Sequence, residues 1–183
     1  MKSAILLLSI LGVTLFAGLT PSAAAASDMF LKLGDIKGES TDQTHKDQID
    51  VLAWSWGMSN TATSSGGGTS AGKATIQDFS FTKFVDLSTT ELMLHTLNGA
   101  HIDEAIFVVQ KAGSQPFEFL KITFEDVLVT SVSTGGSGGE DRLTENVSLN
   151  FAKVKVEYTK QNDDGTKGET KTLTWNIAAN APV

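Results

Sequence analysis

The 183-residue chain has no cysteine, one arginine, three prolines and one tyrosine. Without cysteine there is no disulfide scaffold, no thiolate zinc site and no thiol chemistry. The lone arginine, Arg142, stands among 14 basic and 21 acidic residues, and the formal charge is −7. Such a chain lacks the cationic footprint that neutralises nucleic-acid phosphates, so no nucleic-acid partner is expected. It also lacks the basic clusters that attract anionic lipid. Scarce proline beside 17 glycines and abundant Ser and Thr favours strands and turns over long helices. The length suits one domain, or at most two small ones.

Long apolar runs are missing too, except at the start. Lys2 is followed by an apolar run from Ala4 to Ala17, then Pro21 and the small residues Ser22 to Ala26. A charged start, an apolar centre and an A-x-A zone read as a secretory signal peptide over residues 1–26. Cleavage after Ala25 or Ala26 leaves a single mature domain, 27–183, in the periplasm or secreted. Its charge moves from −7 to −8, because Lys2 leaves and no acid does. A retained anchor is the alternative reading. Nothing later resembles a membrane span, so no stable membrane insertion is expected.

Period-two alternation dominates from Met29 onward. Met29, Leu31 and Leu33 share one side of a short strand, and Glu39–Gln48 reads as a solvated polar loop that includes His45. A strand over Ile49–Met58 places Leu52, Trp54, Trp56 and Met58 on one face, with Ile49, Val51, Ala53 and Ser55 on the other. Residues Gly57–Lys73, with Gly66, Gly67 and Gly68 at the centre, read as one long flexible loop. Strands are expected at Thr75–Lys83, Glu104–Lys111, Phe117–Glu125, Asp126–Thr134, Leu143–Tyr158 and Thr170–Ile177. The apolar phase changes near Phe151-Ala152, which calls for a bulge or bend. Asp163-Asp164-Gly165 signals a hairpin turn. One helix is expected: Ser88 and Glu91 form a capping box, Leu92, Met93 and Leu97 an apolar stripe, and Asn98-Gly99 the end. Some eight strands and one helix predict a mainly β fold, a small β-barrel of two packed antiparallel sheets with one flanking α-helix.

Motifs for chemistry fail on context. Gly67 to Lys73 matches the start of a phosphate-binding loop, but Ala74 stands where a magnesium-binding Ser or Thr is required, and a strand follows instead of a helix. Gly135-Gly136-Ser137-Gly138-Gly139 fits G-x-S-x-G, yet no helix follows and His45, His95 and His101 all precede Ser137. The histidines lack metal-ligand spacing, and His101 with Asp103 and Glu104 reads as a solvated turn. Asn146-Val147-Ser148 is a glycosylation sequon by pattern only. Glu140, Asp141 and Arg142 form a charged cluster beside flexible glycine, an intersubunit ion pair or an energetically minor rim. No enzyme is expected.

Longer strings are more telling. Residues 29–40 (MFLKLGDIKGES), 49–59 (IDVLAWSWGMS), 76–83 (IQDFSFTK) and 129–151 (VTSVSTGGSGGEDRLTENVSLNF) resemble the haemolysin-coregulated protein (Hcp) family of type VI secretion. With the Trp175-Asn-Ile177 ending, the resemblance spans nearly all of 28–178. It implies a barrel with a flanking helix, six copies of which form a ring. Such rings stack into a tube driven by a contractile sheath behind a spike, and they carry effector proteins in the lumen. It implies no cofactor and no catalytic residue. By the same resemblance Ser55 faces the lumen as a cargo contact, its bland alternative being a small residue on a buried face. The loop carrying Gly66, Gly67, Gly68 and Lys73 could cross to a stacked ring, and Glu140, Asp141 and Arg142 could meet a neighbouring copy by a heterologous contact. One departure stands out: the family normally assembles in the cytoplasm and leaves without a cleavable signal. Either translation starts near Met29, or this chain has a separate role outside the cytoplasm, as a secreted or periplasmic binding module.

Overall fold

The computed structural model describes residues 27–65, 68–113 and 115–183, so the expected signal peptide lies outside the described residues. Ten strands and one helix occur among them: β1 (Ser27–Leu33), β2 (Ile49–Asp50), β3 (Ala53–Ser55), β4 (Met58–Ser65), β5 (Gly68–Ile76), β6 (Phe79–Phe84), α1 (Thr89–Asn98), β7 (His101–Lys111), β8 (Phe117–Gly135), β9 (Thr144–Gln161) and β10 (Lys167–Asn176).

The main sheet is antiparallel, in the order β2-β1-β7-β8-β9-β6-β3, with β10 paired to the C-terminal half of β9. The two end strands are adjacent in the chain. Val51 N donates to Met29 O at 2.9 Å, and Leu52 N to Thr82 O at 2.8 Å. One segment, 49–55, therefore meets the sheet from both ends and curls it into the expected small barrel with a flanking helix. Its interior is aromatic: Phe79 lies 4.9 Å from Phe124 and 5.0 Å from Phe107, and Phe124 lies 4.5 Å from Phe151, centroid to centroid. Each such pair contributes about 0.5–1.5 kcal/mol beyond its buried area. Leu31, Leu33, Ile49 and Leu149 complete the core.

The phase change expected near Phe151 is a bend. On β8, Ile122 and Phe124 are buried, then Val127 and Val129; on β9, Val147, Leu149 and Phe151, then Val154. Both strands switch together, because Glu125↔Lys153 and Val127↔Phe151 keep one register while Asp126 takes φ 54° between them. The bulge comes later, between Val129 and Ser131.

Several expectations are corrected. Ile49–Met58 is not one strand: it passes from β1 to β6 and must bend at Val51-Leu52, which turns Leu52 outward and ends its shared face with Trp54. Thr75–Lys83 breaks at Gln77-Asp78, where the chain leaves one sheet for another. Phe117–Thr134 lies in a single long strand, since the register with β9 is the same on either side of the bend at Asp126. The loop read at Gly57–Lys73 is a β-hairpin, with β4 and β5 paired from Met58↔Ile76 to Ser65↔Gly68. A ribbon that joins no larger sheet shows no apolar alternation, so its sequence looks like a loop. A hairpin alone is marginal, and its root is tied down by Trp56 Nε1–H to Gln77 O (3.0 Å), Gln77 N–H to Gly57 O (3.0 Å) and Ala74 N–H to Asn180 Oδ1 (3.0 Å).

The helix forms where expected and stops at Gly99, whose φ of 64° suits glycine and whose N–H donates to His95 O at 3.0 Å. Its capping box is absent: Ser88 Oγ donates to Asp86 Oδ1 at 2.6 Å instead of accepting from the helix. Thr89 and Leu92 face inward, whereas Leu97 is 85% exposed and forms no core stripe. His45 is buried rather than solvated, stacked on Phe30 with ring centroids 4.4 Å apart.

Candidate functional site

The face around Ser55 is built by cross-strand register. Ser55 of β3 pairs with Ser80 of β6, Ser80 with Ser148 of β9, and Ser148 with Ser131 of β8. The adjacent row runs Ala53, Thr82, Asn146, Ser133. The alternating residues Phe79, Phe81, Val147 and Leu149 point into the core, so the hydroxyl and amide groups must point out. Ser80 and Ser148 share a 2.9 Å hydrogen bond, and Thr82 Oγ1 donates to Asn146 Oδ1 at 2.7 Å. A shallow hollow of about 190 Å³ opens between Ser55, Ser80, Thr82 and Asn146. Ser55 is exposed and the neighbouring Trp54 half-buried against Phe79 and Phe107, so the alternation expected around Ser55 holds. At the margin Asp78 accepts from Thr130 Oγ1 (2.7 Å) and Asn150 Nδ2 (2.8 Å). The surface offers a row of hydrogen-bonding hydroxyl and amide groups.

Elsewhere the outward sheet surface carries charged rows. Along β7, β8 and β9 the row Glu104, Glu125, Lys153 is charged, and Lys153 Nζ donates to Glu125 Oε2 at 2.8 Å. That hydrogen bond, with the Glu125 charge, raises the Lys153 pKa. Lys155 pairs with Glu157 (2.9 Å), and Lys171 with Glu169.

The other expected residues are dispersed. Gly66 and Gly67 lie outside the described residues; Gly68 opens β5 and Lys73 is exposed near the hairpin root. Glu140 and Asp141 are exposed in the β8–β9 connection, while Arg142 places its guanidinium carbon 3.9 Å from the ring centroid of its own Phe84. Ser137 N–H donates to Glu140 Oε2 at 3.4 Å, and none of the three histidines bonds to Ser137. His95 bonds the Glu91 carbonyl at 2.9 Å, and His101 meets Asp126 across the strands, not Asp103 or Glu104. Among the described residues no three His, Asp or Glu side chains gather as a metal site, and no helix is long and apolar enough to cross a membrane.

Two features were not anticipated. An apolar groove of about 310 Å³ runs between the hairpin root and β9–β10, lined by Trp56, Met58, Ile76, Val154, Leu173 and Trp175. A buried ionic cluster joins Lys83 and Glu145, register partners on β6 and β9, to Asp86 and Thr89 at the start of α1. Only the register, which no periodicity reveals, could have placed Lys83 beside Glu145.

Comparison with known proteins completes the picture. The family model for the type VI secretion system effector Hcp matches residues 30–158. Protein hcp1 of Pseudomonas aeruginosa is 56% identical over 158 residues, which cover 85% of this chain and 98% of that protein. A solved type six secretion system protein superposes with a TM-score of 0.81 at 30% identity, covering 86% of this chain and all of that one. Hcp1 from Salmonella typhimurium gives 0.71 at 34% identity, covering 86% and 99%.

Proposed function

This chain belongs to the Hcp family of type VI secretion proteins, and from that premise we propose that it is a non-enzymatic structural protein whose hexameric rings stack into a tube and carry effector proteins in the lumen. The observation that carries this reading is the uncharged face around Ser55. A solvated sheet face ordinarily bears Lys and Glu, as β7–β10 do here, so a continuous plane of Ser, Thr and Asn is set apart. As the inner wall of a ring it offers hydrogen bonds to a passing protein without a fixed charge to trap or repel it. In the same reading the β4–β5 hairpin, with Gly66, Gly67, Gly68 and Lys73, reaches the next ring, and Glu140, Asp141 and Arg142 lie near a neighbouring copy. Spike, sheath and effector proteins are its partners.

A second reading is favoured by residues 1–26. Their ordered charged, apolar and small-residue regions fit general export, which places a ring or binding module in the periplasm or outside the cell without service in the tube. Native mass spectrometry and electron microscopy of residues 27–183 test the ring: hexamers and annular particles are expected, and a strictly monomeric species across micromolar concentrations contradicts it. Sequencing the mature N-terminus after fractionation separates the two readings, since Ala26 or Ser27 at the terminus establishes processing.

A further inference from the structure

Among the described residues β4 and β5 pair only with each other, and a groove of about 310 Å³ separates the root of their hairpin from β9 and β10. Packing therefore leaves the angle between the hairpin and the main sheet open. Two of the three hydrogen bonds at the root stay within it: Trp56 Nε1–H to Gln77 O and Gln77 N–H to Gly57 O, each 3.0 Å, join the two legs of the hairpin. The third leaves the root for the turn that follows β10, where Ala74 N–H donates to Asn180 Oδ1 at 3.0 Å. Resting on the reading in which the hairpin reaches the next ring, we propose that this turn is a clip for the hairpin and that Asn180 is the positioning residue that aims it.

Both sides of the contact are built for it. Asn176 and Ala181 exchange both backbone hydrogen bonds, at 2.9 and 3.3 Å, and Ala179 N–H donates to Asn176 Oδ1 at 2.9 Å. Thr174 Oγ1 donates to Val183 O at 2.7 Å, so residues 177–183 fold back along β10. Ile177 N–H donates to Ala152 O at 3.0 Å and fastens the turn to β9. Within this frame Asn180 takes φ 50°, a left-handed conformation that asparagine tolerates and most side chains do not. On the hairpin, Thr61 faces Gly72 and Lys73 across a bulge, and pairing resumes at Asn60↔Ala74. A Cβ at Gly72 would stand 2.7 Å from Thr61 O, so the bulge requires glycine there. A bulge bends its strand, and the clip grips the first residue beyond the bend, where an edge N–H would otherwise face solvent.

Hydrogen exchange of residues 72–76 in the full chain, wild type against two variants, reads the clip directly. Asn180→Gly suits the left-handed φ but removes the acceptor, whereas Asn180→Asp keeps both. In Asn180→Gly, exchange in 72–76 is expected to rise about fivefold, what one ordinary hydrogen bond is worth, while β7 and β8 stay as protected as in the wild type. In Asn180→Asp the wild-type rate is expected. The proposal is overturned if Asn180→Gly exchanges like the wild type, if Asn180→Asp exchanges like Asn180→Gly, or if protection is lost across β7 and β8 as well. Electron micrographs of the same preparations read the aim. Where wild-type rings stack, Asn180→Gly rings are expected to stack less and Asn180→Asp rings as the wild type does; equal stacking in all three overturns the positioning role. Wild-type rings that stay single refute the reach to the next ring, and the exchange rates still decide the clip.

Discussion

Replacing Lys83 with methionine tests the balance of forces in the barrel most directly. Lys83 and Glu145 have no exposed side-chain surface, and Asp86 has 7%. Lys83 Nζ lies 2.7 Å from Glu145 Oε1, 2.7 Å from Asp86 Oδ1 and 2.8 Å from the Phe84 carbonyl. Glu145 Oε1 also accepts from Thr89 Oγ1 at 2.9 Å, while Glu145 Oε2 is buried without a partner. The cluster thus holds two carboxylates on one ammonium. Lys83→Met strands both acids, and breaking a buried pair on one side costs about 3–5 kcal/mol. For a domain of this size that lowers the melting temperature by roughly 6–20 °C. Lys83→Met/Glu145→Leu removes the pair together. Asp86 then keeps the Ser88 N–H (2.8 Å) and hydroxyl (2.6 Å), and Thr89 Oγ1 keeps the Asp86 N–H at 3.1 Å. Its stability is expected within about 2 kcal/mol of the parent, because apolar replacement of a buried pair is often neutral. Urea unfolding of residues 27–183, followed by tryptophan fluorescence at fixed protomer concentration, measures both. A single variant within about 1 kcal/mol of the parent, or a double variant less stable than the single, refutes the argument that desolvation dominates.

Gly38→Ala is expected to destabilise the barrel by about 1–3 kcal/mol, because a Cβ there would stand 2.4 Å from Gln48 O and 2.7 Å from Ile49 Cα, both backbone; a melt unchanged from the parent contradicts this. Asp42 is governed by opposing effects: burial raises its pKa, but the His45 and Thr44 N–H groups, at 2.9 and 2.8 Å, outweigh it and hold the carboxyl below its usual value. Its stabilisation is therefore complete above the ordinary carboxylate range and drains away as pH falls through the depressed folded value. Asp42→Ala should lose about 0.5–1.5 kcal/mol at neutral pH, with the gap to the parent closing below about pH 4; a gap that persists in acid contradicts the assignment.

The barrel was legible wherever one strand face meets the core and the other meets water. Met29, Leu31 and Leu33, then Val147, Leu149 and Phe151, announce their strands by alternation, and the phase slip before Val154 announces the bend. What alternation cannot show is a change of partner. Residues 49–58 kept their apolar character while passing from β1 to β6, so the break at Val51-Leu52 was invisible. The hairpin was hidden for the opposite reason: it joins no larger sheet, and the Ser, Thr and Gly residues of its sequence look like a loop. Ser88 and Glu91 had the right spacing for a capping box, but the Ser88 hydroxyl is turned to donate to Asp86 Oδ1 at 2.6 Å and its oxygen accepts no helix N–H.

Ser55 illustrates why a surface is harder to read than a fold. Alone it is a small polar residue between two tryptophans, equally consistent with a crowded interior and with an exposed wall. Its meaning comes from Ser80, Ser148 and Ser131, which are 25 to 93 positions away in the chain and adjoin it only through three strand registers. The same register that aligns these hydroxyls outward aligns Lys83 with Glu145 inward, one residue out of phase on β6 and β9. A one-residue slip of β6 against β9 would turn Lys83 to the surface, leave Glu145 buried without it, and bury Ser80 and Thr82 in an aromatic core. The buried pair and the uncharged face therefore specify each other: holding Lys83 on Glu145 admits only the alignment in which the Ser55 face is continuous.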